Sequence, residues 1–457
     1  MRGWIKGALF ASLVFGASWI GAVSYWRASN RMPSTLDLFA WMAALPLGLL
    51  LAVWIGRRVV ASRATPAASA PALDAAAAPA APNSLPALAM LASSLRTPHG
   101  LSPDELAQAI DAGRARAGLD PELLDEEGYP VFSARADAAV EEEIKDDIHT
   151  WRVGAALEDP QWTPEQWRAL ALGSAVASDL LLLAGGHPQL LAPQGRPAAT
   201  PPLLRIHAGV TPDWSEAQRA TLDAWLSTLA VRAGWPAEKV QADSRPVPVS
   251  AVLEQLALRA GTQAEPVFAI VLAFGSHIGE DQVGQLSMNG ALFTAANQQG
   301  LVPGEAAAGL LLADARQATL FDPRAPSLQL ASAARGAEQA GRRKPDPLLL
   351  RQLAAALFPD PSDAGAVSAV FADTGHRSAN LVELTTFAGE AAPQLDPGQD
   401  VKAVGGACGH CGEAPFLAAL ALAHQHALDS AGAALCVGNE DPLQRTAALV
   451  RPAAALS

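Results

Sequence analysis

The sequence contains little cysteine: three residues in a chain of 457, at positions 408, 411 and 436. A disulfide framework is therefore excluded, and the usage fits a reducing compartment. Aromatic residues make up only 5% of the chain, so any core must be filled mainly by Leu, Ala and Val.

Basic residues are also scarce, with 32 Lys and Arg against 45 Asp and Glu. Seven of the basic residues and one acidic residue lie in the first 63 positions, which leaves residues 64–457 with a net charge of −19. Nucleic acid is bound by clustered Lys and Arg side chains. We therefore predict no nucleic-acid partner.

The common nucleotide and hydrolase motifs are missing. There is no Walker loop and no G-x-G-x-x-G, so we predict no nucleotide cofactor. The stretch Gly275–Gly279 (GSHIG) resembles a nucleophile elbow, but Phe274 stands where that motif needs its first glycine.

Two uncharged apolar runs, 7–26 and 38–55, are each long enough to cross a bilayer. We predict a transmembrane hairpin over residues 1–60; the alternative for the first run is a cleaved signal peptide that begins with Arg2 and Lys6. Five basic residues lie before the first run or after the second, and two lie between the runs. The positive-inside rule then places the large domain on the cytoplasmic side of a bacterial inner membrane.

Residues 61–86 are rich in Ala and Pro and have no apolar periodicity, which predicts an extended linker. Beyond it, capping residues predict helices that begin near Ser102, Thr163 and Ser215. We interpret residues 87–200 as a mainly helical N-terminal part of the body.

Residues 201–457 are predicted to form an α/β domain. Short, nearly continuous apolar runs alternate with helical segments, as expected of strands covered on both faces. The predicted strands are Leu203–Val210, Pro266–Phe274, Ala308–Leu312, Ala366–Ala372 and Ala433–Val437. A helical run followed by a strand occurs at Val249–Phe274 and again at Ala414–Val437, but this echo is too weak to predict a duplication.

The most conspicuous motif is Gly405–Glu413 (GGACGHCGE). Cys408 and Cys411 have the spacing of a zinc hairpin or a redox dithiol. However, His424 and His426 are two residues apart on a predicted helix and would point in different directions, and Gly412 replaces the histidine of a haem-attachment motif. The favoured interpretation is a tight turn with buried thiols, without metal or cofactor.

A second polar cluster, Asp373–Arg377 (DTGHR), follows a predicted strand. Sites in α/β proteins often lie at such strand ends. The favoured alternative is a capped turn with solvated charges.

Three segments resemble the thiolase and ketoacyl-synthase family. Val302–Ala308 is similar to the Gly-Glu-Gly-Ala turn that ends the first half of these enzymes, Val370–Phe387 to a strand-turn-helix of the second half, and Gly405–Leu422 to their Gly-His loop. The resemblance implies a thiolase-like layered body, a homodimer, and a position for His410 at the second catalytic histidine.

The departures from the family concern its catalytic residues. No cysteine precedes Cys408, the first histidine loop is absent, and Lys402 lies too far from His410 to match the family's lysine. Because the synthase reaction holds its acyl group on a thiolate, we predict that the body is catalytically degenerate and not an enzyme.

The order of a basic hairpin, a linker and an acidic thiolase-like body also resembles the type VI lipase adapter proteins. This resemblance implies a membrane-tethered adapter that binds a phospholipase effector and helps load it onto the secretion spike. Two alternatives remain: an acyl-handling hydrolase or transferase that uses Cys408 or Cys411 with His410, and a redox or metal sensor at the same loop.

Overall fold

The computed structural model describes residues 85–191, 200–336, 345–358 and 361–453. The predicted transmembrane hairpin, and the predicted linker apart from its last two residues, lie outside the described residues.

The described residues form strands and helices that alternate along most of the chain. The strands are β1 (Leu88–Arg96), β2 (Gly118–Leu124), β3 (Pro130–Ser133), β4 (Leu204–Gly209), β5 (Val240–Asp243), β6 (Phe268–Ser276), β7 (Glu305–Ala313), β8 (Ser327–Ala334), β9 (Val367–Ala372), β10 (Val401–Ala403), β11 (Ala433–Gly438) and β12 (Gln444–Arg451). The α-helices are α1 (Pro103–Asp111), α2 (Glu141–Gly154), α3 (Pro164–Ala184), α4 (Glu216–Arg232), α5 (Val249–Thr262), α6 (Glu280–Met288), α7 (Ala315–Phe321), α8 (Pro347–Leu357), α9 (Ser378–Ala391), α10 (Gly405–Cys408) and α11 (Ala414–Asp429). Two short 3-10 helices cover Ala237–Lys239 and Pro361–Ala366.

Helices α1, α3 and α4 begin where the capping residues predict. Thr163 accepts a hydrogen bond from the backbone N–H of Gln166, whose side chain accepts one from the backbone of Thr163; Ser215 and Gln218 repeat this pair. Each pair satisfies two backbone donors that a helix start leaves without partners. The three predicted helix starts are confirmed.

Ten strands form one mixed sheet in the order β10-β9-β11-β12-β8-β1-β7-β6-β4-β5. Within it, β5, β4 and β6 are parallel, while β7 and β1 continue the sheet by antiparallel pairing. The strands β10, β9, β11, β12 and β8 repeat this arrangement with the same directions. Strands β1 and β8, the first of each set, pair antiparallel at the centre.

The sheet is therefore built from two halves of identical topology. In each half, numbered in chain order, the strands lie in the order third, second, fourth, fifth, first. The helix-then-strand pattern that occurs twice in the sequence has a structural basis. Helix α5 with β6, and α11 with β11, occupy the same place in the two halves.

Three hydrophobic cores hold the layers together. Helices α5 and α11 share one core with strands from both halves of the sheet. Helices α3 and α4 cover the outer face of the first half, and α8 and α9 cover that of the second. Helix α11 is rich in alanine and almost wholly buried, since small side chains let it pack closely between strands.

The α/β prediction is confirmed, and each of the five predicted strands is present as β4, β6, β7, β9 or β11. The segment 87–200, predicted as mainly helical, contains α1, α2 and α3 but also β1, which lies at the centre of the sheet. Residues 87–200 and 201–457 therefore share one sheet.

Within the described residues, one helix is long and apolar enough to cross a membrane, namely α3. Helix α3 packs in the core over the first half of the sheet, and 61% of its most apolar window is buried. It is therefore a core helix, and the two predicted spans find no support in the described residues.

Candidate active site

A cleft lies at the carboxyl ends of the parallel strands in both halves. His277 follows β6, Asp373 follows β9, and Glu440 lies two residues after β11. The segment between β10 and α11 adds His410. The loops after these strands converge here: the ring of His277 contacts that of His410. Asp373, His410 and Glu440 line the same cavities, although they are far apart in sequence.

The loop that carries His410 is fixed by backbone contacts. The N–H of His410 donates to the carbonyl of Val302 over 2.7 Å, and the N–H of Gly304 donates back to the carbonyl of His410 over 3.2 Å. A Cβ atom on Gly304 would overlap the carbonyl of Cys408, and Gly409 has a φ of +67°. Glycine is therefore needed at both positions, and the close approach holds the imidazole in place.

Two imidazoles stack where the loop after β6 meets the loop before α11. The rings of His277 and His410 lie 4.9 Å apart with an interplanar angle of 29°. The Nδ1 of His277 lies 2.9 Å from the carbonyl oxygen of His410 and donates to it, which leaves Nε2 of His277 as an acceptor.

Both imidazoles are neutral near neutral pH. Burial, together with a smaller contribution from the adjacent His277, lowers the pKa of His410 to about 4. Burial also lowers the pKa of His277. A neutral imidazole carries one N–H donor and one acceptor, so it can polarise a carbonyl group without being charged itself.

Asp373 lies in the same cleft and is half-buried. Its Oδ1 accepts hydrogen bonds from the backbone N–H groups of Asn439 and Glu440, at 2.8 and 3.1 Å. Burial raises the pKa of Asp373 to about 7, and repulsion from the Glu440 carboxylate adds to the effect, against the lowering effect of the two N–H donors. Asp373 can therefore both take and give a proton near neutral pH.

Glu440 connects the loops after β9 and β11. Its Oε1 accepts from Nη2 of Arg377 at 2.5 Å, while its Oε2 accepts from the backbone of Gly375 and the amide of Asn380. The carboxylate is thus fully engaged by partners from the neighbouring loop. This network orders the segment that carries Asp373.

Two cavities of about 360 and 460 Å³ open from this cleft. Both are within the size range of small-molecule sites. They share Leu301, Asp373, His410, Gly412 and Glu440 as wall residues. Asp373 and His410 therefore lie at the junction of the two cavities.

The structure places the two candidate thiols away from solvent. Cys408 and Cys411 are 0% and 1% exposed and belong to the central hydrophobic core. Burial raises the pKa of Cys408 to about 12 and that of Cys411 well above its usual value, and Cys411 donates to the carbonyl of Gly409. A thiol in this state is a poor nucleophile, because the reactive species is the thiolate.

His424 and His426 point away from each other, as expected from their spacing. His424 bonds to Ser93 and to the carbonyl of Met90 on β1, whereas His426 bonds to Ser368 on β9. No group of three or more potential metal ligands occurs in the described part of the chain.

No protein-family model and no curated protein matches this chain. Solved structures do. The chain is 11% identical to the oxazolomycin ketosynthase domain of Streptomyces albus JA3453, with a TM-score of 0.55 over 80% of this chain and 75% of that one. It is 13% identical to the ketosynthase from module 1 of the Bacillus amyloliquefaciens FZB42 bacillaene synthase, with a TM-score of 0.54 over 81% of this chain and 74% of that one.

The body has the ketosynthase fold. The predicted thiolase-like architecture is therefore confirmed at the level of fold. The prediction of a type VI lipase adapter is wrong: the solved structures that are similar to this chain are ketosynthases. The predicted non-enzymatic character, the phospholipase and spike partners and the homodimer stay predictions that no observation tests.

The sequence pattern did not predict Asp373 or His277 as site residues. Asp373 belongs to the polar cluster for which solvated charges are the favoured interpretation; it is instead half-buried and accepts two backbone hydrogen bonds. His277 lies in the stretch that resembles an incomplete nucleophile elbow. Its place after β6, a fully buried strand, was the available signal.

Proposed function

We propose that this protein is an acyl-handling enzyme that cleaves an acyl thioester in the cleft at His410 and Asp373, with water or another hydroxyl compound as acceptor. The observation that carries the proposal is the junction itself: a neutral imidazole and a carboxyl group that titrates near pH 7 line the same two cavities.

In this proposal, His410 polarises the carbonyl group of the thioester. Its imidazole is held by the backbone contacts of its loop and by stacking on His277, so its orientation is fixed before substrate binds. A preorganised N–H donor stabilises the negative charge that develops on the carbonyl oxygen during attack. No positive charge on His410 is needed for this role.

In this proposal, Asp373 transfers the proton as a general base and then as a general acid. Its ionised carboxylate takes a proton from the attacking water as the new C–O bond forms. The C–S bond then breaks, and the protonated carboxyl group returns the proton to the departing thiolate. The products are a carboxylic acid and a thiol, and Asp373 ends in its starting state.

Two features support this reaction over a thiolate mechanism. Cys408 and Cys411 lie in the core with raised pKa values, so neither thiol is suited to hold an acyl group. The two cavities on either side of His410 offer separate space for the acyl chain and for the thiol portion of a substrate.

The test measures thioester cleavage by the full-length protein in detergent, with acyl N-acetylcysteamine thioesters as substrates and a thiol reagent as detector. His410→Gln is expected to lower kcat/KM by roughly 10²–10³-fold, the usual effect of losing one preorganised donor. His149→Gln removes an exposed imidazole on α2 and is the matched control. Cys411→Ala should keep most of the activity.

Equal activity in His410→Gln and His149→Gln would contradict the assignment. Loss of activity in Cys411→Ala, with unchanged thermal unfolding, would instead favour a thiol mechanism.

We also propose that residues 1–60 anchor this enzyme by two transmembrane helices. The support is the pair of uncharged runs at 7–26 and 38–55. The full chain should sediment with membranes and leave them only in detergent; release by high salt or carbonate would contradict the anchor.

A further inference from the structure

The smaller cavity, of about 360 Å³, has a mostly apolar wall. Phe132 on β3 and Phe293 contact edge to face at 5.4 Å, and His376 contacts Phe293 in the same manner at 5.0 Å. Leu301, Val302 and Pro415 complete the apolar side, and glycines of the His410 loop leave space beside it. This wall suits a hydrocarbon chain.

One cation lies at the rim of this apolar cavity. The loop between α1 and β2 lines the cavity with Ala115, Arg116 and Ala117, and Arg116 is exposed. Among the described residues, Arg116 has no ion pair and no side-chain hydrogen bond to another residue. The other arginine near the cleft, Arg377, is already paired with Glu440.

The surroundings of Arg116 suit it to bind an anion. Residues 64–457 carry a net charge of −19, which disfavours the approach of anions to the body as a whole. An uncompensated guanidinium beside an apolar wall offers two parallel donors, the geometry that binds carboxylate or phosphate.

We propose that Arg116 determines substrate specificity by binding an anionic group on the substrate, at a distance from the reacting carbonyl, while the wall of Phe132 and Phe293 contacts the hydrocarbon chain. The inference rests on the proposed function for the identity of the substrate. The anion is either a carboxylate at the far end of the acyl chain or a phosphate on the thiol portion; the chemistry of recognition is the same for both.

The test measures binding to the full-length protein in detergent by isothermal titration calorimetry, with thioether analogues that cannot be cleaved. Three probes are used: S-hexyl pantetheine, the same compound with a terminal carboxylate on the hexyl chain, and S-hexyl phosphopantetheine. The variants are Arg116→Gln and, as a control for net charge, Arg114→Gln. Arg114 is exposed two residues away and does not line the cavity.

Arg116→Gln is expected to raise the Kd of one anionic probe by about ten-fold or more, the usual effect of losing a charge-assisted hydrogen bond, and to leave the neutral probe within about two-fold. Arg114→Gln should leave all three unchanged. The affected probe identifies the source: the terminal carboxylate places the anion on the acyl chain, and the phosphate places it on the thiol portion.

Equal effects of Arg116→Gln on charged and neutral probes, or equal effects of the two variants, would overturn the proposal, as would failure of the wild type to prefer either anionic probe. The same measurements distinguish failure of the anion site from failure of the proposed reaction. If the wild type binds an anionic probe through Arg116 but cleaves no thioester, the anion site stands and the reaction does not.

Discussion

Replacing Glu305 by alanine is expected to lower the free energy of unfolding by about 3–5 kcal/mol, the usual cost of removing one partner from a buried ion pair. Glu305 is fully buried at the start of β7. Its carboxylate accepts from the guanidinium of Arg168 on α3, from the backbone N–H of Ala136 and from the hydroxyl of Ser276. Alanine would leave all three donors without this acceptor.

The matched control is Glu390→Ala, which removes the partner of Arg351 in an ion pair whose side chains are 43% and 44% exposed. Exposed pairs contribute about 1 kcal/mol or less. Urea unfolding of both variants gives the comparison. A loss below about 1 kcal/mol for Glu305→Ala would contradict the stabilising role of this cluster.

Replacing Asp373 by asparagine is expected to stabilise the protein at about pH 8 while it leaves only a low rate of thioester cleavage. The pKa of Asp373 in the folded protein is raised to about 7. The folded state therefore holds a proton that the unfolded state releases at lower pH, and stability falls as the pH rises towards 7. Each unit of pKa difference is worth about 1.4 kcal/mol, so the gain reaches at most about 4 kcal/mol.

Asparagine is neutral and keeps an oxygen that can accept from Asn439 and Glu440. Its stabilising effect should shrink as the pH falls towards 5, because Asp373 is then protonated in the wild type as well. Asp147→Asn changes an exposed aspartate on α2 and should not affect stability or activity. Thermal unfolding measured across this pH range checks the result. A variant that is less stable than the wild type at pH 8 would contradict the burial of an ionised Asp373.

The fold could be predicted from the sequence where the signal is local. Strand β6 is buried along its whole length, so it reads as a continuous apolar run, and Thr163 with Gln166 has the spacing of a capping box. Strand β1 was missed although it is central. Its residues alternate between buried and partly exposed and include Ser93, Ser94 and Arg96, so no apolar run marks it.

The repeated strand order of the two halves could not be predicted, because strand order is not visible in the local sequence pattern. Helices α5 and α11 occupy equivalent places, but twelve of the sixteen residues of α11 are buried, against five of the fourteen of α5. The two helices therefore need different patterns of apolar residues, so their equivalent places are hidden in the sequence.

The site was predicted only in part. His410 was identified from its loop, and the structure brings it to the cleft. Its neighbours His277 and Asp373 come from strand ends that are far away in sequence, and only the pairing of β9 with β11 brings Asp373 against Asn439 and Glu440. The spacing of Cys408 and Cys411 suggested reactive thiols, but spacing does not reveal burial.

The central claim is that His410 and Asp373 act together on an acyl thioester. The most direct test is the pH dependence of kcat/KM for thioester cleavage by the wild type and by Asp373→Asn. The account predicts that wild-type activity rises with pH through a midpoint at about 7, as Asp373 ionises, and that the variant has a low activity without this rise. Cleavage by the variant at the wild-type rate with the same midpoint, or no cleavage by the wild type at any pH, would contradict it.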